Sequence, residues 1–376
     1  MFRFLTLQFN KPLTKANKWL LVLNLCCVVV TLLAMLAPLV SAQLWVIPAL
    51  LNIVFLYLYI ANAVFVLLWL LQLHWLSSVS MLVLIVGFAG VKNCIVANIT
   101  AVTPSYVGAK LRIMSYNVKV FDLYNWSHNT ETRVEILNTL LENKADIINI
   151  QEFYTSTIPP HRNHDSIMTA TGYYANLQIT KVANTKDYFG IVTYSRYPIV
   201  NTGIVEFEKN GNNIALYTDV VLNSKDTLRV YNCHLQSVHL KKTDFLFLSQ
   251  LKNGSADTNY DKSISSIYSR LALAYNKRVT QVELLAKSIS ESPYKVLLTG
   301  DLNDVPNSYT YGKLMNTGLQ DAFLEQGFGF GKTFTGTALP LRIDYILHSK
   351  QLNCTTFDVL HTQGSDHYAI VAEVRL

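Results

Sequence analysis

The chain has 376 residues, 51% of them hydrophobic, and carries 31 Lys and Arg against 25 Asp and Glu for a formal charge of +6. That length exceeds one average domain and implies two unlike parts. The mean hydropathy of +0.24 and the positive charge are both local, which argues against a uniformly basic nucleic-acid binder and against a uniformly soluble chain.

From Trp19 to Val91 there is no Asp, Glu, Lys or Arg. A bilayer core takes about 20 apolar residues per helix, so this transmembrane region (residues 19–91) has room for three crossings. They are expected near Trp19–Val40, Leu44–Leu71 and Leu76–Val91, separated at Pro38 and Ser41–Gln43 and again at Gln72, His74 and Ser77-Ser78. A cleaved signal peptide would have a shorter apolar core, roughly 7–15 residues. Arg3, Lys11, Lys15 and Lys18 place residues 1–18 in the cytoplasm. Three crossings of the cytoplasmic (inner) membrane then deliver the rest of the chain to the periplasm or exterior, and two would reverse this. Cys26, Cys27 and Cys94 lie in or near the apolar region. Residues 92–110 read as a linker.

Six of the 31 basic residues and no acid fall in residues 1–110, which leaves 25 against 25 in Leu111–Leu376. This part is formally neutral. Nucleic-acid binding usually leaves a basic excess, because phosphate contacts supply most of the affinity. Strands are expected at Leu111–Val118, Asp146–Glu152, Phe189–Ser195, Ile204–Glu208, Ile214–Leu222 and Leu228–His234. A helix is expected over Glu131–Asn143 with Thr130 as N-cap, and Asn210-Gly211-Asn212 reads as a hairpin turn. From Leu240 to about Glu291 comes a helical or loop insertion, amphipathic from Ile264 to Ile289. Strands resume at Lys295–Asp301, Ile343–His348, Thr355–Leu360 and Tyr368–Val374. Many strands with few helices between them do not fit a doubly wound parallel sheet. An α/β fold of two mixed sheets packed face to face, with helices outside, fits better. Cys233 and Cys354 lack metal-ligand spacing and read as buried free thiols, with a disulfide as the alternative.

Chemistry gathers at the strand ends. Val296–Thr299 is an apolar run that ends in Gly300-Asp301-Leu302-Asn303-Asp304. Asp301 can take a proton or orient a water, and Asn303 can donate to a phosphate oxygen without bringing charge. Asn117 closes the first strand and Glu152 the second. An apolar strand gains nothing in stability from a terminal carboxylate, whereas a hard cation such as Mg²⁺ wants one or two of them. His234 closes another strand, with Asp187 as a possible partner. Asp344 lies in Arg342–Ile346 and Asp366 precedes His367. Either carboxylate could hold the His367 imidazole and stabilise its protonated form, adjacency making Asp366 the poorer geometric partner.

The series Ser115-Tyr116-Asn117, Gln151-Glu152, Asn232–Gln236, Gly300–Asp304, Arg342–Ile346 and Ser365–His367 resembles the endonuclease/exonuclease/phosphatase superfamily over Leu111–Leu376. That superfamily includes deoxyribonucleases, apurinic endonucleases, bacterial neutral sphingomyelinases and inositol polyphosphate 5-phosphatases. The resemblance implies a four-layered α/β/β/α sandwich with the site where the two sheets meet. It implies that Glu152 binds Mg²⁺ (or Mn²⁺), with Asn117 beside it and Asp366 near the metal. It makes Asp301 the group that activates water, Asn303 a phosphate-oxygen donor, and His367, supported by Asp344, the stabiliser of the phosphorane. His234 matches the deoxyribonuclease and sphingomyelinase branches rather than the abasic-site branch.

Three readings follow: a membrane-anchored phosphodiesterase or phosphatase, a membrane-tethered nuclease, and a catalytically inactive binding module. The neutral domain and the anchor favour the first, with a phosphate ester such as a lipid head group, nucleotide or nucleic acid as substrate. Lys241-Lys242 and Lys277-Arg278 could form a basic patch, although solvated helix faces account for them better. Phe245–Leu248 could touch lipid or serve as helix core.

Overall fold

A computed structural model describes residues 12–98, 109–208, 211–224, 226–238 and 260–376. The chain divides into two units, Met1–Cys94 with Pro306–Tyr309, and Ile95–Val305 with Thr310–Leu376.

In the first unit, helix α1 (Lys15–Met35) starts where the Thr14 side chain accepts from Asn17 N. It is followed by α2 (Ile47–Asn52), α3 (Phe55–Leu71) and α4 (Ser77–Cys94). The second expected crossing is therefore two helices, interrupted where Val54 takes a non-helical conformation. Helices α1 and α4 are long and apolar enough to cross a membrane, and α3, with 17 residues, falls just short of that length. The packing is inverted relative to a helical bundle in water. Trp19, Leu23, Leu71 and Ile85 face outward, while Asn24, Thr31, Asn62 and Ser80 are fully buried. Those polar groups bond across helices: Asn24 Nδ2 to Ser80 Oγ (2.6 Å), Trp69 Nε1 to Asn24 Oδ1 (2.9 Å) and Asn62 Nδ2 to Thr31 Oγ1 (2.8 Å). Small polar residues bonding between helices are what an apolar solvent selects.

The second unit contains two six-stranded sheets. One runs β13 (Asn353–Leu360), β14 (Ala369–Arg375), β2 (Lys110–Asn117), β3 (Ile147–Ser156), β5 (Asp187–Ser195), β4 (Tyr174–Val182). The other runs β10 (Leu319–Asp321), β12 (Asp344–Ser349), β9 (Lys295–Asp301), β8 (Thr227–His234), β7 (Ile214–Val221), β6 (Ile199–Glu206). Strand β1 (Val96–Ala97) pairs with β11 (Phe328–Gly329) outside both. Each large sheet has a single parallel pair at its centre, β2–β3 in one and β8–β9 in the other, with antiparallel strands outside.

Period-two alternation builds the layers. Leu111, Ile113 and Ile147 pack against Val230, Leu297 and Ile346 of the facing sheet. Met114, Ile148 and Ile150 point the other way, onto Ile136 and Leu140 of α5 (Thr132–Glu142) and Ile167 of α6 (Asn163–Thr171). On the far face α7 (Tyr260–Ser290) buries Val279, Val282 and Leu285, and Tyr231 OH of β8 donates to Ser288 O at 2.9 Å. The expected α/β four-layered sandwich of two mixed sheets is thus observed.

Several local expectations change. The N-cap of α5 is Glu131 rather than Thr130, and no side chain caps it. Strand β4 and the small element β10 join the expected set. Cys233 and Cys354 are both buried and unbridged. Asn210, Lys241-Lys242 and Phe245–Leu248 lie outside the described residues. Arg278 is not on a solvated face: it is buried, and Lys277 pairs with Glu208 at 3.0 Å.

Candidate active site

The two parallel pairs end at the same edge of the sandwich, and this brings the sequence-predicted residues together. In the register of β8 and β9, His234 stands beside Asp301, and in that of β9 and β12, Asp301 stands opposite Asp344. Gly300 makes the β8–β9 approach possible. Its φ is +142°, and a Cβ there would lie 2.0 Å from the Cys233 carbonyl oxygen. The glycine accommodates the neighbouring backbone, not a sharp turn.

Beneath the site the space between the sheets changes from apolar to polar. Ser115, Asn149, Gln151, Thr193, Asn232 and Thr299 are all buried. Asn149 Nδ2 donates to Thr299 Oγ1 (2.8 Å), Thr193 Oγ1 to Asn149 Oδ1 (2.6 Å), Gln151 Nε2 to Asn232 Oδ1 (2.7 Å), and Asn232 Nδ2 to Val192 O (2.8 Å). A fully bonded buried network specifies one arrangement of the sheets and resists sliding. These residues are the floor on which the site stands. Their sequence signal is an amide at every second position, Asn149 and Gln151, in the run Ile147–Gln151 that is otherwise Ile.

Glu152 reaches the site through a bulge. The β3–β5 register slips between Ile150 and Phe153, and Glu152 takes φ +48°. A bulge re-aims a side chain. Gln151 and Glu152, consecutive in sequence, thereby both turn inward. The Glu152 side chain remains 35% exposed, with Oε1 3.7 Å from His234 Nε2 and 3.4 Å from Asn117 Nδ2. Both contacts are long, so the carboxylate keeps lone pairs free. The buried His234 Nε2 has no hydrogen-bond partner among the described residues.

Asp301 is the hub. Its Oδ1 accepts from Asn303 N at 2.8 Å, and Asn303 achieves this with φ +52°. Its Oδ2 accepts from Asn117 Nδ2 at 3.1 Å and lies 3.8 Å from His234 Nε2 and 3.7 Å from His367 Nε2. The other ring nitrogen of His367, Nδ1, is 2.9 Å from Asp344 Oδ2. Phe334 covers the ring, with centroids 5.1 Å apart. Burial and the nearby Asp344 push the Asp301 carboxyl up to about 6, against the lowering effect of the two histidines. Burial alone would push His367 down, but Asp344 and Asp301 together outweigh it and raise the imidazole to about 10. The two carboxylates thus favour the protonated imidazole, held at Nδ1 by Asp344 with Nε2 turned toward Asp301.

One placement differs from expectation, and two more residues have partners that the sequence does not announce. Asp187 accepts from Tyr154 OH (2.8 Å) and Asn184 Nδ2 (2.7 Å) and is not the partner of His234. Asp366 forms an ion pair with Lys119 Nζ at 3.0 Å, a cation that the sequence reading leaves unassigned. Asn303 Nδ2 donates to Leu235 O at 3.0 Å, which leaves one of its two N–H groups for another acceptor.

Two groups could hold a metal. Asp301, Asp344 and His367 offer ligand atoms within 4.8 Å of one another. A cation there would have to displace the proton that Asp344 and Asp301 keep on His367, so the donor set fits poorly. Glu152 fits better: a hard oxygen donor, under-coordinated and open to water, is what Mg²⁺ takes. A cleft of about 560 Å³ opens beside Glu152 and His234, lined also by Phe189, Lys181, Lys277 and Gln281.

Residues 17–94 match the model of a domain of unknown function. No curated protein matches the chain. Among solved structures, an endonuclease/exonuclease/phosphatase family protein of Bacteroides thetaiotaomicron is 16% identical, with 72% of this chain and 98% of that one covered and a TM-score of 0.52. The mannosyl-6-phosphatase of the same organism is 15% identical over 71% of this chain and 100% of its own, with a TM-score of 0.51. A Bacteroides vulgatus protein of this description is 14% identical over 71% and 99%, with a TM-score of 0.52. At such identities the likeness is one of fold. Residues 114–367, well over half of the chain, match the family model described as Endonuclease/Exonuclease/phosphatase, and the chain belongs to that family.

Proposed function

We propose that residues 111–376 form a divalent-metal-dependent phosphoester hydrolase, tethered to a membrane by residues 19–91. The observation that carries this reading is that two unlike groups stand on either side of Asp301, with Asn117 Nδ2 reaching both Glu152 Oε1 (3.4 Å) and Asp301 Oδ2 (3.1 Å). Glu152 is a carboxylate with free lone pairs, and His367 is a buried cation 3.7 Å from the buried carboxylate of Asp301. Phosphoryl transfer needs both, one to draw charge from phosphorus and one to meet the charge that develops.

Ionised Asp301 takes the proton of the attacking water, whose oxygen bonds to phosphorus as the bond to the ester oxygen breaks, and the leaving alkoxide takes a proton from solvent. His367 donates its Nε2 proton as a hydrogen bond to a non-bridging phosphate oxygen, while Asp344 fixes the ring and keeps it charged. Asn303 supplies its remaining N–H to the phosphate, and His234 Nε2 faces the same space. Glu152, with Asn117 beside it, would hold the Mg²⁺ or Mn²⁺, which supplies Lewis acidity toward the phosphate. The alcohol portion of the ester occupies the cleft along Phe189 and Lys181. Among the described residues no Ser or Cys stands in a nucleophile elbow, which supports direct attack by water.

The inverted packing of the first unit supports the tether, and the neutral charge of Leu111–Leu376 favours a phosphate ester at the membrane surface over bulk nucleic acid. Hydrolysis of bis-p-nitrophenyl phosphate by the full chain, abolished by EDTA and restored by Mg²⁺, is the expected result. A wild-type chain inert in every divalent metal would return the reading to a binding module. On topology, an alkaline phosphatase fusion after Val107 should be active and a green fluorescent protein fusion dark, and the opposite pair would put the domain in the cytoplasm.

A further inference from the structure

The segment that follows His234 has no secondary structure, yet every backbone group from His234 O to Gln236 O is held. His234 O accepts from Asn213 Nδ2 at 3.1 Å. Leu235 N donates to Asp301 O at 3.0 Å, and Leu235 O accepts from Asn303 Nδ2 at 3.0 Å. Gln236 N donates to Gln281 Oε1 at 2.8 Å. Gln236 O accepts from Arg278 Nη1 at 2.8 Å.

Arg278 does more than close this series. Its guanidinium is 1% exposed, its Nε lies 3.5 Å from Asp304 Oδ2, and its Cζ lies 4.1 Å from the Tyr275 ring centroid. Asp304 follows Asn303 directly and is itself fastened by Thr310 Oγ1 at 2.7 Å. One buried fork on α7 thus reaches the two loops that leave β8 and β9, the first beginning directly after His234 and the second carrying Asn303. A solvated surface arginine would do neither.

We infer that Arg278, with Gln281 one turn on, is a positioning residue that fixes the spacing between His234 and Asn303 and so sets how both meet the phosphate. This rests on the phosphoesterase reading above. The planar fork matters, because an ammonium is a point charge and cannot serve both loops in one geometry. A misplacement of about 1 Å at such a site can cost on the order of 10²-fold in rate.

The test uses the full chain with bis-p-nitrophenyl phosphate and Mg²⁺. Arg278→Lys, which retains the charge, should lower kcat about tenfold with KM within about threefold. Asn303→Ala alone should cost roughly 10²-fold, and adding Arg278→Lys to it should cost little more, because both act on one placement. Hydrogen exchange at Leu235–Ser237 should quicken in Arg278→Lys, a readout that needs no activity. Unchanged kcat in the single variant, or losses that multiply in full, would overturn the inference. If the wild-type chain hydrolyses nothing, exchange decides alone: faster exchange retains the clamp and only the phosphoesterase reading falls, whereas unchanged exchange overturns the clamp.

Discussion

Glu152 and His367 belong to one sheet, Glu152 within β3 and His367 just ahead of β14, yet their surroundings are opposite. The Glu152 side chain is 35% exposed and loosely contacted, while that of His367 is 7% exposed and lies between two carboxylates. A partly exposed carboxylate can exchange a hydration shell for an ion. A buried imidazolium persists only because neighbouring charge outweighs burial. The lesson is that one sheet edge can carry an ion-receiving pole and a proton-holding pole, separated by depth and not by sequence.

The largest effect that would sharpen this division is at the hub. Asp301→Asn removes the water-activating group and should lower kcat/KM by about 10⁴-fold without loss of the folded state, as read by steady-state kinetics and circular dichroism. Retention of a tenth of the activity would move the base elsewhere.

Next in size is the buried pole. His367→Ala should cost roughly 10²–10³-fold, with Asp344→Asn somewhat less. Because the two act as one unit, the double variant should cost little more than the worse single, and full additivity in log kcat/KM would break the pairing. The pH profile carries a sign. Asp301 must be ionised, so the rate climbs as pH rises through about 6. His367 must be protonated, so the rate falls as pH rises through about 10. Asp344→Asn withdraws the charge that sustains the imidazolium and should move the alkaline limb to lower pH.

The strand ends were legible because polar or charged residues close strands rich in apolar ones, as Gln151-Glu152 does after Ile147-Ile148-Asn149-Ile150. The two-sheet architecture followed from many strands separated by few helices. Pairing was not legible: nothing local in Asp344 says that it faces Asp301 across β12 and β9. Strand β4 does carry a period-two signal, Leu177 and Ile179 alternating with Asn176, Gln178 and Thr180, although it falls outside the expected elements. The bulge at Glu152 is a tertiary outcome, and so is the burial of Arg278. A Lys-Arg pair on an amphipathic helix reads as solvated until Asp304 and the Gln236 carbonyl are brought to it. The apolar region is helical as its composition predicts, but the interruption near Val54 has no Gly or charge to announce it.

The division into two poles is tested most directly by the Mg²⁺ dependence of bis-p-nitrophenyl phosphate hydrolysis in Glu152→Gln and His367→Ala, measured side by side. Glu152→Gln should raise the Mg²⁺ concentration for half-maximal rate by about tenfold or more, since an amide is a poor ligand for this ion. His367→Ala should leave that concentration within about twofold while lowering the maximal rate. A shift in Mg²⁺ dependence as large in His367→Ala as in Glu152→Gln would contradict the account and place the ion among Asp301, Asp344 and His367.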